Sequence, residues 1–246
     1  SPFVEYEKDI TYAPYNRLMK LQAVRAADAN VVLLPQYREY FDRCTREHTV
    51  VIPNYFEMKC GKELCNEDTD SCQNVIVNVG RLEKQKNHRL LIEAFERIAW
   101  KYPSWEVHIY GNGVLEKELE EIIIKKSLSG RVKLMGTTKE IYSAYANARM
   151  FALPSFYEGF PLVLGEAMTA GLPCVGLEEC IGVAELIGNS EGGLLSPRTA
   201  TSFAEKMEAL IQNPALRREM GLKGREYVKR FEKQKIVDMW EGLLFG

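Results

Sequence analysis

Long apolar runs are missing from this 246-residue chain. No stretch approaches the ~20 consecutive apolar residues of a membrane-crossing helix, and no signal-peptide pattern opens the sequence, so the cytoplasm is the expected location. Histidine is scarce, and His48, His88 and His108 share no spacing that would hold a metal; His108, in a strand, reads as a packed core residue. A charge excess is missing as well: 32 basic against 34 acidic residues leave a net charge of −2, which argues against bulk nucleic-acid binding. No Ser-His-Asp or Cys-His arrangement stands out, and there is no internal repeat or low-complexity tract. An initiator Met is also lacking ahead of Ser1-Pro2-Phe3, so the chain reads as a fragment or a processed product.

Cysteine is present but poorly placed for zinc. Cys60, Cys65 and Cys72 cluster in a polar stretch without paired spacings or an obvious fourth ligand, so free thiols on a loop are the favoured reading over a metal site. Asp68-Thr69-Asp70 has the D-x-D pattern of some metal-dependent sugar transferases, yet it falls in the same polar stretch and not at a strand end, and reads as a solvated loop.

What the chain does contain is regular alternation. Tyr12 to Ala27 is helical in pattern, Asn30 to Leu34 a short strand, a helix starts at Gln36, and Thr49 to Ile52 precedes Pro53. Residues 54–73 form a polar linker. Beyond it come strand Val75–Val79, helix Asn87–Tyr102, strand Trp105–Tyr110, helix Leu115–Lys126, strand Val132–Met135, a helix from Lys139, and strand Met150–Leu153. A helix from Pro161 stops at Gly171, followed by strand Cys174–Leu177 and a helical run from Thr199 to Leu244. Strands separated by helices predict an α/β fold, a Rossmann-like parallel sheet with helices on both faces. Residues 74–246 form this domain and residues 1–53 a partial remnant of a second α/β domain, with the last helices packing back on 1–53.

Ligands of such sheets bind beyond the C-terminal strand ends, and the informative residues fall there. Glu158-Gly159-Phe160-Pro161-Leu162 leads into a helix that carries Glu166 among Val163, Leu164, Ala167 and Met168. One carboxylate thus sits on a loop and one on a mostly apolar helix, where it needs partners, and between them the free N–H groups of the helix start suit a phosphate. Gly80-Arg81-Leu82 with Lys86 follows the first strand of the regular block. Gly80 permits close backbone approach, while Arg81 and Lys86 offer a planar fork and a point charge to a diphosphate, Lys84 being the alternative to Lys86. Tyr110-Gly111-Asn112-Gly113 is half a dinucleotide fingerprint and reads as a tight turn whose small residues line the cleft. Gly136-Thr137 offers backbone amides to a base edge.

Taken together, these segments resemble the nucleotide-sugar domain of the retaining GT-B glycosyltransferases of family 4, the glycosyl transferases group 1, over a span from Val50 to Phe245. The resemblance implies that Glu166 holds ribose hydroxyls, Glu158 contacts the donor sugar, and Arg81 and Lys86 neutralise the diphosphate, so that Glu158, Arg81 and Lys86 carry the chemistry. Gly80, Gly111, Asn112, Gly136, Thr137, Gly159, Phe160, Pro161 and Leu162 complete the expected donor site. It implies no metal and no cofactor, a nucleotide sugar donor with UDP favoured over GDP, and a glycan or lipid-linked acceptor in polysaccharide or cell-surface glycan synthesis. Ala26-Ala27-Asp28-Ala29 and Val51-Ile52-Pro53-Asn54 resemble only the closing elements of the acceptor half, whose bulk would carry acceptor groups and any peripheral contact with the inner face of the membrane. Two other classes stay open: a non-catalytic nucleotide-sugar-binding module, and an epimerase or phosphorylase on the same architecture.

Overall fold

A computed structural model of the protein describes residues 22–58 and 73–246. The chain divides into two compact units, Ser1–Asn54 with Gln234–Gly246, and Tyr55–Lys233. Of the helix expected from Tyr12 to Ala27, residues 22–27 are described, of which 22–26 are helical and Ala27 is a bend. Cys60, Cys65, Cys72 and Asp68-Thr69-Asp70 lie outside the described residues.

In the first unit β1 (Asn30–Val32) pairs in parallel with β2 (Thr49–Val51), Val31 opposite Val50. The helix expected from Gln36 is a 3-10 turn, Pro35–Tyr40, followed by the short helix α1 (Arg43–Glu47). Asp42 causes the break. Its side chain accepts from Thr45 N at 2.9 Å, capping a new helix start. That backbone bond, with Arg25 beside it, lowers the Asp42 carboxyl to about 2.

The second unit is built on a six-stranded parallel sheet of order β5-β4-β3-β6-β7-β8. In chain order its elements are β3 (Val75–Val79), α2 (His88–Ala99), β4 (Glu106–Tyr110), α3 (Glu116–Lys125), β5 (Val132–Gly136), α4 (Ile141–Ala146) and β6 (Met150–Leu153). Then follow α5 (Leu162–Thr169), β7 (Cys174–Leu177), α6 (Ile181–Ser190), β8 (Gly193–Ser196), α7 (Ala200–Gln212) and α8 (Pro214–Val228). Every residue of β6 and β7 is buried, as expected of central parallel strands covered on both faces, where apolar runs replace alternation. On β4, by contrast, Val107 and Ile109 are buried while Glu106, His108 and Tyr110 are half-buried. Leu90, Leu91, Ala94, Phe95 and Ile98 form the inward stripe of α2, which packs against α7.

Three readings of the sequence change here. The run from Thr199 to Leu244 is broken twice, by Asn213-Pro214 and by a 3-10 turn at Lys229–Phe231, before α9 (Lys233–Phe245), most of which belongs to the first unit. Asn213 accepts from Leu216 N at 3.0 Å with Pro214 at the first helical position, a fresh helix start. Helix α6 and strand β8 were not legible, because Gly182, Gly188, Gly192 and Gly193 punctuate an apolar stretch that fits either state. His108 is not a core residue: on the half-buried face of β4 its Nε2 meets Glu106 Oε2 at 2.7 Å, and the same oxygen accepts from Lys133 Nζ at 2.6 Å.

Sheet order fixes where a site can lie. The chain runs β3, β4, β5 towards one edge and then crosses back to place β6 on the other side of β3. The connections leaving β3 and β6 therefore diverge, opening a crevice at the C-terminal ends of these two strands.

Candidate active site

The segment after β3 is held by its neighbour. Gly80 N donates to Tyr110 O at 2.9 Å and Leu82 N to Asn112 O at 2.8 Å, so the pairing of β3 with β4 continues past the strands. Such an approach leaves no room for side chains: at Gly111, with φ of 145°, a Cβ would lie 2.0 Å from the Gly80 carbonyl oxygen, and at Gly113, with φ of 159°, 2.5 Å from that of Leu82. The glycines of the Tyr110–Gly113 turn thus serve loop packing. Gly111 N also donates to Gly136 O at 2.8 Å, so the loops after β3, β4 and β5 lie side by side.

Beyond Gly80, Arg81 extends outward and meets Glu83 at 3.1 Å, its side chain 69% exposed. The turn Lys84–Lys86 ends at Asn87, whose φ of 51° reverses the chain into α2. The stem of Lys86 crosses Gly80, where a Cβ would stand 3.1 Å from its methylenes.

The segment after β6 is stitched to this turn. Phe156 N donates to Gln85 O at 2.9 Å, and Gln85 Nε2 donates to Tyr157 O at 2.9 Å. The stitching brings Lys86 Nζ to Glu158 Oε1 at 2.6 Å, with side chains only 15% and 9% exposed, across 72 positions of sequence. Phe160 turns inward, stacked on Phe56 with centroids 5.2 Å apart and edge-on to Phe231 at 5.3 Å. This anchor fixes the loop through packing. Pro161 is the N-cap of α5, one position earlier than its predicted place inside the helix, and its carbonyl accepts from Leu164 N and Gly165 N. The N–H groups of Leu162 and Val163 have no helical carbonyl behind them and face outward from the helix start. Helix α6 abuts the same loop, since a Cβ at Gly182 would stand 2.5 Å from the Glu158 carbonyl oxygen. Burial pushes the nearby Cys180 thiol up to about 11, so it is no thiolate at neutral pH.

Glu166 is half-buried on α5. Tyr145, fully buried on α4, shares its one hydroxyl proton between Glu166 Oε2 at 3.3 Å and Val163 O at 3.4 Å. Burial, then the Glu166 charge, raises the Tyr145 hydroxyl well above its usual range and that of Tyr142 to about 12, so both stay protonated. Sequence reasoning passed over this support. Its only trace was two tyrosines three positions apart on α4. Beside Lys86, His88 is 1% exposed, neither ring nitrogen meets a hydrogen-bond partner among the described residues, and burial with the Lys86 charge lowers it to about 4.

The predicted residues therefore fall into two groups at the C-terminal end of the sheet. Lys86, Glu158, Gly159, Phe160, Pro161, Leu162 and Glu166 are gathered by the stitched loops and α5. Gly80, Arg81, Gly111, Asn112 and Gly136 line the neighbouring strand ends, with Thr137 exposed beyond them; the next residue, Thr138, accepts from Glu140 N at 3.0 Å ahead of α4. A cavity of about 330 Å³ lies on the sheet face at α4, lined by Val75, Val77, His108, Tyr110 and Met135 among others, and contains none of the predicted residues. Arg81 and Lys86 are suited to a multiply charged anion, and paired carboxylates with a buried tyrosine behind one of them to hydroxyl groups. Among the described residues no cluster of His, Cys, Asp or Glu has the make-up of a metal site.

Comparison with known proteins identifies the family and the fold. A family model described as Glycosyl transferases group 1 matches residues 66–227. An uncharacterized glycosyltransferase of Haemophilus influenzae is 31% identical over 170 residues, 69% of this chain and 48% of that protein. The N-acetylgalactosamine-N,N'-diacetylbacillosaminyl-diphospho-undecaprenol 4-alpha-N-acetylgalactosaminyltransferase of Campylobacter jejuni is 33% identical over 172 residues, 70% of this chain and 46% of that protein. The chain spans about half the length of these curated relatives. Among solved structures, Anabaena HepE in complex with UDP superposes with a TM-score of 0.83 at 22% identity, covering 95% of this chain and 68% of that one. Staphylococcus aureus TarM, solved with UDP among its ligands, gives 0.82 at 23%, covering 94% and 47%. These likenesses show the fold, a parallel sheet flanked by helices as in GT-B glycosyltransferases.

Proposed function

We propose, from the premise that this chain belongs to the glycosyl transferases group 1 family, that its second unit binds a nucleoside diphosphate sugar for transfer with retention of configuration to a glycan or lipid-linked acceptor. The setting is polysaccharide or cell-surface glycan synthesis, as the names of its relatives suggest. UDP is the favoured nucleotide, since HepE and TarM were solved with it. The observation that carries the reading is the Lys86–Glu158 contact at 2.6 Å, a cation and a carboxylate delivered by the two loops that flank the crevice between β3 and β6.

Each role follows from charge and reach. Lys86, Arg81 and the N-terminus of α5 meet the diphosphate, Glu166 braced by Tyr145 takes the ribose hydroxyls, and Glu158 orients the sugar. Backbone of Gly80, Gly111, Asn112, Gly136 and Thr137 lines the nucleotide path. As the bond from the anomeric carbon to the phosphate oxygen breaks, negative charge grows on the diphosphate; the acceptor oxygen bonds to that carbon and its proton passes to the departing phosphate oxygen. Fixed cations and oriented N–H groups stabilise that charge by several kcal/mol, on the order of an oxyanion hole, with no metal in the scheme. The first unit, in this reading, belongs to the acceptor side.

Calorimetric titration with UDP, GDP and ADP tests the reading. UDP binding lost in Lys86→Ala and Glu166→Ala variants that still fold supports it; no heat from any nucleoside diphosphate at millimolar concentration rejects it.

A further inference from the structure

Both cations assigned to the diphosphate already have carboxylate partners of very different exposure. Lys86 meets Glu158 in a nearly buried pair, with side chains 15% and 9% exposed, and Arg81 meets Glu83 at the surface, 69% and 36% exposed. Glu83 has no part in the donor roles above. From these two contacts we infer that Glu158 and Glu83 are resident counter-anions of the diphosphate site, so that a nucleoside diphosphate binds only in competition with them and the product nucleotide leaves more readily. The inference rests on the proposed function and adds to it a control over nucleotide affinity.

The physical argument is one of desolvation. A nearly buried ammonium without its carboxylate is costly, and pairing with Glu158 relieves that cost before any phosphate arrives. A phosphate reaching Lys86 gains only the difference between its own attraction and that of Glu158. Arg81 and Glu83 stand in solvent, where the attraction is small and screened, so the same competition there is weaker and fades with salt. The leaving diphosphate, whose negative charge is greatest after the sugar has gone, would otherwise be held most tightly of all.

The test is a charge-neutral replacement that keeps shape. Glu158→Gln retains an oxygen that can accept from Lys86 Nζ while removing the charge, and Glu83→Gln does the same for Arg81. Calorimetry with UDP on the full chain is expected to show Glu158→Gln binding about tenfold tighter than the parent, little changed by salt. Glu83→Gln is expected to bind about threefold tighter at low ionic strength, with the gain erased by added salt. A merely structural role for Glu158 predicts UDP affinity unchanged or weaker whatever the melting temperature does, and that result overturns the inference. If Glu158→Gln does not fold, Glu83→Gln decides, because unchanged UDP affinity at low ionic strength contradicts the competition. A parent chain that binds no nucleoside diphosphate overturns the proposed function, whereas a parent that binds with neither variant tighter overturns the counter-anion role alone.

Discussion

His88 and Asn87 carry opposite kinds of local cost. His88 is held neutral, lowered to about 4 by burial and by Lys86, against about 6.5 in an unfolded chain. Because the unfolded state takes up the proton first, its contribution is intact above about pH 6.5 and is lost as the pH falls through 4, by about 3 kcal/mol in all. Thermal melts from pH 7 to 4.5 should show this fall, and the His88→Leu variant should melt with a flatter dependence over that window; equal slopes would show that the histidine is not the group responsible. At Asn87 the cost lies in the backbone, whose φ of 51° is left-handed. Glycine takes that conformation freely, so Asn87→Gly should be within about 0.5 kcal/mol of the parent, while Asn87→Ala should lose about 1 kcal/mol in denaturant unfolding. Equal stability of the two variants would contradict this.

At the scale of elements, α6 is the support that the sequence did not reveal. Its Gly182 faces the Glu158 carbonyl, where a Cβ would come within 2.5 Å, and the Pro161 ring at 3.0 Å, whereas Gly188 on the same helix would meet only a Leu195 methyl at 3.8 Å. Gly182→Ala must therefore push the Glu158 loop away from Lys86, costing roughly 1–3 kcal/mol of stability as overpacking does. Gly188→Ala should instead stabilise by about 0.5–1 kcal/mol, the usual gain for alanine inside a helix, with UDP binding intact. Paired melting and titration curves check both, and an innocuous Gly182→Ala would mean that α6 does not position Glu158. The contrast also shows what a sequence can disclose. Regular alternation of apolar strands with helices was legible from Val75 to Leu177 because burial on both faces writes itself into composition. The two loops of the site were legible because Gly80-Arg81 and Glu158-Gly-Phe-Pro stand at strand ends. Contacts across long separations were not: the meeting of Lys86 with Glu158, Tyr145 behind Glu166, and the facing of Phe160 towards Phe56 depend on how strands order themselves. Glycine-rich stretches such as Gly182 to Gly193 carry too little periodicity to reveal a helix and an edge strand.

For the whole molecule, the sheet order brings distant stretches of sequence to one crevice. Strands β3 and β6 are neighbours although 70 residues of chain, three helices and an edge of the sheet intervene between Val79 and Met150. A ligand that spans the crevice holds both loops at once, so it opposes unfolding of the unit rather than of one loop. By mass action, UDP at about a hundred times its dissociation constant adds about 2.7 kcal/mol. For a domain of this size, that corresponds to a rise of roughly 5–10 °C in the melting transition. Since Arg81, Lys86 and the N-terminus of α5 supply the positive charge in this scheme, the rise should be the same with EDTA present. Differential scanning fluorimetry with UDP, with and without chelator, gives the answer directly. A shift that vanishes in EDTA would transfer the diphosphate's charge compensation to a metal, and no shift in either condition would remove the nucleotide from this crevice altogether.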